Sequence, residues 1–158
     1  MNLNSLPDHA RIWVYQSNKP LTREHLSKID AVMTPFVNQW QAHGKELSAA
    51  YEVRSNRWLI LGVDENAQEA TGCSIDSSVH LIQKLGDEME VDFFNRTLIV
   101  WENEGELVED QMHDFWAKRK ANIISDATAV FNTLAKNVGE LKASWKVPFS
   151  ESWHADMW

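Results

Sequence analysis

The chain has 158 residues, a length that fits one domain, and 44% hydrophobic with 24% charged residues argues for a packed core rather than disorder. A net charge of −8 repels a phosphate backbone, so nucleic acid is not an expected partner. No apolar stretch approaches the roughly 20 residues of a membrane span. The first eight residues lack the basic and apolar regions of a signal peptide, and the lone Cys73 favours a reducing compartment, so no membrane partner and a cytoplasmic location are expected.

Residues 11–16 (Arg-Ile-Trp-Val-Tyr-Gln) are β-branched and aromatic, which predicts a strand. Thr22 can cap the helix that follows, and Leu21 and Leu26 have the spacing of a hydrophobic staple. Leu26, Ile29, Met33, Phe36 and Trp40 recur at three- and four-residue steps, giving one apolar helix face. Pro35 is expected to kink or divide this helix after Thr34, and Gly44 to end it. Residues 47–54 alternate, with Leu47, Ala49, Tyr51 and Val53 on one side, and residues 57–64 are apolar on both sides. Ser55-Asn56 suits the tight hairpin between them. A second helix is predicted from about Ser74, with Ile75, Val79, Ile82 and Leu85 on its apolar face and an end between Gly86 and Met89. Residues 97–102 read as another strand, and Asn103-Glu104-Gly105 as a turn into a short strand at 106–109.

Strand, helix, strand, strand, helix, strand is the order of a ferredoxin-like β-α-β-β-α-β unit, an α+β fold with an antiparallel sheet whose first and third strands are central. The expected organisation is therefore a single domain, 1–158, with a ferredoxin-like core at 10–103 and a C-terminal α-rich extension at 104–158. In the extension, Asp110 is placed as the cap of a helix over 111–119, with Lys118-Arg119-Lys120 in its last turn. Residues 121–135 are left open, since 127–135 fits strand or helix. Asn137 and Glu140 have capping-box spacing for a short helix that Pro148 stops. Two helices cover one sheet face only, so residues 110–158 or a second copy must cover the other. A homodimer through that face or through the aromatic tail is one expected partner arrangement. The eight tryptophans, spread evenly, read as core and core-edge residues, with an aromatic ligand pocket or a partner surface as the alternative.

With the first strand running upward, the end of the first helix, the end of the third strand and the start of the second helix share the lower rim. That rim collects Trp40, His43, Asp64, Gly72, Cys73, Ser74 and Asp76 as candidate ligand-binding residues. Cys73 at a helix N-terminus is placed to favour a thiolate, His43 is the candidate base and Asp76 the candidate orienting group. Against this chemistry, a lone cysteine is usually a small buried apolar residue. Asp76 and His80 are four apart on the second helix, yet no second pair completes a zinc set, so no metal is expected. Gly72-Cys73-Ser74 would also suit an anion, as nearly any helix start does. Neither a dinucleotide nor a phosphate-loop glycine pattern occurs, so no cofactor is expected. The reading that follows is a small-molecule or protein binding module without catalysis, with a small Cys73/His43 enzyme as the alternative.

Four strings add a resemblance: Arg11-Ile-Trp-Val-Tyr-Gln-Ser17, Trp40-x-x-His43-Gly44, Gly72-Cys-Ser-Ile-Asp76 with Ser78-Val79-His80, and Trp145-x-Val-Pro148 through Glu151-Ser-Trp-His154. Over nearly its whole length the chain resembles an uncharacterised bacterial family whose members often carry the label "ABC transporter ATPase". This chain lacks the phosphate loop that such an ATPase needs and is too short for its nucleotide-binding domain. The resemblance implies a fold shared with those relatives and points to the lower rim; it implies no reaction.

Overall fold

The computed structural model describes residues 2–158. Strand β1 (Arg11–Gln16) leads to helix α1 (Arg23–Gln39). Thr22 caps α1 reciprocally: its Oγ1 accepts from His25 N at 3.2 Å, and His25 Nδ1 accepts from Thr22 N at 3.1 Å. Pro35 does not divide the helix, which runs unbroken past it. The missing N–H removes one backbone bond, but buried Ile29, Met33 and Val37 hold the turns on both sides of Pro35 against the sheet. Gly44 does not end the helix either. The helix stops at Gln39, Trp40 takes an extended backbone, and His43 and Gly44 form the turn of a small hairpin, β2 (Gln41–Ala42) with β3 (Lys45–Glu46). Both turn residues hold positive φ, 51° and 74°, as a type I′ turn requires.

Strands β4 (Ser48–Arg54) and β5 (Trp58–Asp64) follow, joined through Ser55 and Asn56, again both at positive φ. They pair with β1 in an antiparallel sheet of order β1-β5-β4. The doubly apolar strand is central, as its sequence requires. Helix α2 (Gly72–Met89) begins two residues before the expected Ser74, because Thr71 and Ser74 form a second capping box. Its buried face is Ser74, Ser78, Ile82, Leu85 and Met89, whereas Ile75 and Val79 are half-buried. Small serines fit there because the Trp40 ring fills the space, donating its Nε1–H to the Ser74 carbonyl at 2.9 Å.

The expected closing strand departs from the ferredoxin-like arrangement. Strand β6 (Leu98–Asn103) forms where predicted, but it pairs with β7 (Glu106–Gln111) and β8 (Ala129–Phe131), not with β1. With β9 (Lys146–Pro148) these make a second antiparallel sheet of order β7-β6-β8-β9. The described residues thus form an α+β protein with nine strands in three antiparallel sheets and five α-helices. The physical reason lies in Leu98-Ile99-Val100-Trp101, apolar on both faces: the turn at Glu104-Gly105 supplies β7 as an immediate neighbour, and sequential strands pair most readily.

Three clusters set the layers. Trp13, Tyr15, Leu59, Leu61 and Val63 face α1 and α2. On the opposite face Ile12, Val14, Trp58 and Ile60 meet Leu3, Leu6, Val100, Phe131, Val138 and Leu141. Ile99, Trp101 and Val130 point the other way, onto Phe115 of helix α3 (Met112–Lys120) and onto Phe149. The order is helices, sheet, sheet, helices. The extension therefore covers the open face, together with the N-terminal Leu3 and Leu6, but through strands as much as through α4 (Val138–Ser144), while Ala155 of α5 (Trp153–Asp156) packs against the Phe115 cluster. Asp110 does not cap α3: it ends inside β7, accepting from Trp101 Nε1 at 2.7 Å and pairing with Lys118 at 2.9 Å. Asn137 caps α4 as its spacing predicts, accepting from Glu140 N at 2.8 Å.

Candidate functional site

The lower rim forms as the strand directions require. Ser48 pairs with Asp64 and Arg11 with Val63, so β1 and β4 begin where β5 ends. The Trp40–Ser74 hydrogen bond joins the end of α1 to the start of α2. Asp64, however, is engaged locally. It accepts from Asn66 N at 3.1 Å and faces His9 Nε2 at 3.2 Å, a partner the sequence offers no means of finding. Cys73, His43 and Asp76 are exposed, and none makes a side-chain hydrogen bond among the described residues. Two backbone amides of the α2 start are already taken, Ser74 N by Thr71 Oγ1 and Ile75 N by Thr71 O. A shallow groove of about 410 Å³ lies between α1 and α2 against Phe36 and Trp40, and neither Cys73 nor His43 lines it. No group of three or more His, Cys, Asp or Glu able to hold a metal occurs among the described residues.

A second site comes from the strand that left the sheet. In β1 the odd residues bond to β5, a pattern that Ser17 N continues by donating to Arg57 O at 2.7 Å. The even residues therefore present their N–H and C=O outward. Ile12 N donates to Lys136 O at 3.1 Å, closing the lower end of this edge, and Asn18 N donates to Asp92 O at 3.0 Å, closing the upper end. Between them the Val14 N–H and C=O have no hydrogen-bond partner among the described residues.

This open stretch lies in a cleft of about 580 Å³. Trp13, Tyr15, Val79, Phe93 and Phe94 line its helix side, and Ile12, Val14, Leu98, Leu134, Ala135 and Trp153 its other side. Phe94 and Leu134 remain 36% and 60% exposed, unusual for large apolar side chains beside a cavity. Arg96 is the one charged residue of the lining, and it makes no ion pair among the described residues. Burial pushes the Tyr15 hydroxyl's pKa above its ordinary value, with a hydrogen bond to Ser78 opposing it, so Tyr15 stays neutral beside the cleft. Gln16 braces the upper end: its Nε2 donates to Leu98 O at 2.8 Å and its Oε1 accepts from Trp58 Nε1 at 2.9 Å. Of these residues the sequence singles out only the tryptophans and the two faces of strand 11–16. The cleft itself depends on where β6 goes.

Two buried polar groups flank this architecture. Arg57, 1% exposed, donates from Nη1 to Glu109 at 3.0 Å and from Nη2 to Ser17 O at 3.2 Å, tying the β4–β5 hairpin to β7. His154, 2% exposed, stacks on Trp153 with ring centroids 3.7 Å apart, and burial pushes its pKa down to about 4. Its Nδ1 and the Trp153 indole N–H are buried without a partner among the described residues. No helix is long and apolar enough to cross a membrane among the described residues. Comparison with protein-family models, curated proteins and solved structures finds no match to this chain.

Proposed function

We propose that this protein is a non-catalytic binding module whose ligand occupies the cleft beside β1. The segment from β1 to α2 reads as a ferredoxin-like unit that has lost its closing strand, leaving the strand edge available to something else. The observation that carries this reading is the cleft itself. Its volume of about 580 Å³ falls in the ordinary range of ligand pockets. Its lining is mostly apolar, and Asn95, Arg96, Thr133 and the open Val14 backbone are polar groups that would fix orientation, Gln16 being engaged with Leu98 and Trp58. The lower rim offers no comparable enclosure, and its cysteine and histidine are both exposed. The chain's own Leu3, Leu6, Phe131 and Val138 cover the apolar sheet face, which speaks against a homodimer through it.

The test uses anilinonaphthalene sulfonate, an apolar fluorescent anion, as the probe. Saturable binding is expected, with perturbed amide resonances at Val14, Phe94 and Leu134. Leu134 is exposed, so Leu134→Asp leaves the fold intact while placing a like charge at the cleft, and it should weaken binding by about tenfold, the effect of roughly 1.4 kcal/mol. Alkylating Cys73 should change nothing. Binding abolished by Cys73 alkylation and untouched by Leu134→Asp would move the site to the lower rim.

A further inference from the structure

The two ends of the β1 edge say what kind of ligand the cleft takes. Below, residues 136–138 pair with β1 in strand fashion: Ile12 N donates to Lys136 O and Val138 N to Ala10 O. Above, Asp92 O accepts from Asn18 N. Between Ile12 and Asn18 the edge runs about 20 Å at roughly 3.3 Å per residue. Over that span the described residues supply no strand, and among them the outward Val14 N–H and C=O have no partner. The Val14 N–H and C=O are open to pairing, so a ligand that supplies both a donor and an acceptor at strand spacing forms hydrogen bonds there that a purely apolar one leaves unmade.

Resting on the functional reading above, we infer that the cleft binds an extended peptide segment of about four or five residues, added as a fourth strand along the β1 edge. Side chains of such a strand alternate between the two layers. One set meets Trp13, Val79 and Phe94, the other Leu134, Ala135 and Trp153. Both walls are apolar, so the segment is apolar on both faces. Among the described residues Arg96 is the only charged one on the lining, and it selects a segment that also carries a carboxylate. A second copy of this chain fits less well than a peptide. Its own β1 sits between the walls of the same cleft, and two chains of net charge −8 repel. A small apolar molecule would fill the walls and leave Val14 unpaired.

The experiment displaces anilinonaphthalene sulfonate with a library of acetylated pentapeptides, four positions drawn from Val, Ile, Leu, Phe and Thr and the last Asp. Library members are expected to compete for the cleft. N-methylating the best peptide at alternate positions should weaken it about tenfold, the loss of one hydrogen bond. Binding should slow hydrogen exchange at the Val14 amide by a similar or larger factor. Arg96→Glu should weaken the acid peptide more than its amide analogue. If the probe binds but no library member displaces it, or if N-methylation is tolerated at every position, the peptide inference falls while the cleft remains a small-molecule site. Protection of Val14 without peptide, in a species of doubled mass, would assign the edge to a second copy and overturn the inference. Absence of probe binding removes the functional reading along with it.

Discussion

At the scale of single residues, His154 makes the sharpest prediction. Its pKa in the fold is about 4, against 6.5 for an ordinary histidine, because the proton would place a charge where no partner meets it. Between those values the unfolded chain binds the proton and the folded chain does not. Stability therefore falls as pH drops from about 6.5 towards 4, by up to about 3 kcal/mol from this group, and no further below. Urea midpoints of the protein and of His154→Phe, followed over that range, should separate: the variant loses this share of the acid sensitivity. Identical slopes would show that His154 is solvated. The sequence alone does not reveal this burial, since nothing local distinguishes His154 from the other histidines; it follows from how Trp153 and Phe115 pack against the ring. The tryptophans were more legible. Trp40, Trp58 and Trp101 are buried, each with its N–H satisfied, as large amphipathic rings require.

Among the elements, α2 shows how tertiary contact reverses a local preference. Replacing an interior helical glycine by alanine is ordinarily favourable by about 1 kcal/mol. At Gly86 the added methyl would stand 2.5 Å from the Val91 carbonyl oxygen, where the chain folds back after Glu90 at φ 57°. Gly86→Ala is expected to destabilise by about 1–3 kcal/mol, the cost of forcing a backbone shift in a packed region. A denaturation midpoint at or above that of the parent would mean that this return is loose. The start of α1 and the extents of β4 and β5 follow, to within a residue, from the Thr22 cap, periodicity and turn residues. Pro35 and Gly44 misled because each rule is local, while the packed stripe on α1 and the hairpin at 41–46 are decided by neighbours. Asp110 misled for a related reason: an acidic residue before a helix reads as a cap, but Trp101 and Lys118 claim both its oxygens.

For the whole molecule, the decisive event is the choice made by β6. Counting elements predicts a strand that closes the first sheet on β1. Only three-dimensional packing shows that the strand does better in a second sheet, between the sheet-one face and Phe115. The rim uniting the ends of α1 and β5 with the start of α2 was readable, since it needs only strand directions. The cleft was not, because it is made by a strand's absence and walled by residues 93–98, 133–135 and 153, far apart in the chain. Residue-resolved hydrogen exchange on the ligand-free protein addresses this most directly. The Val14 amide should exchange much faster than those of Trp13 and Tyr15, which bond to β5. Equal protection of all three would mean that the β1 edge is already closed, and the cleft would have no strand edge to offer.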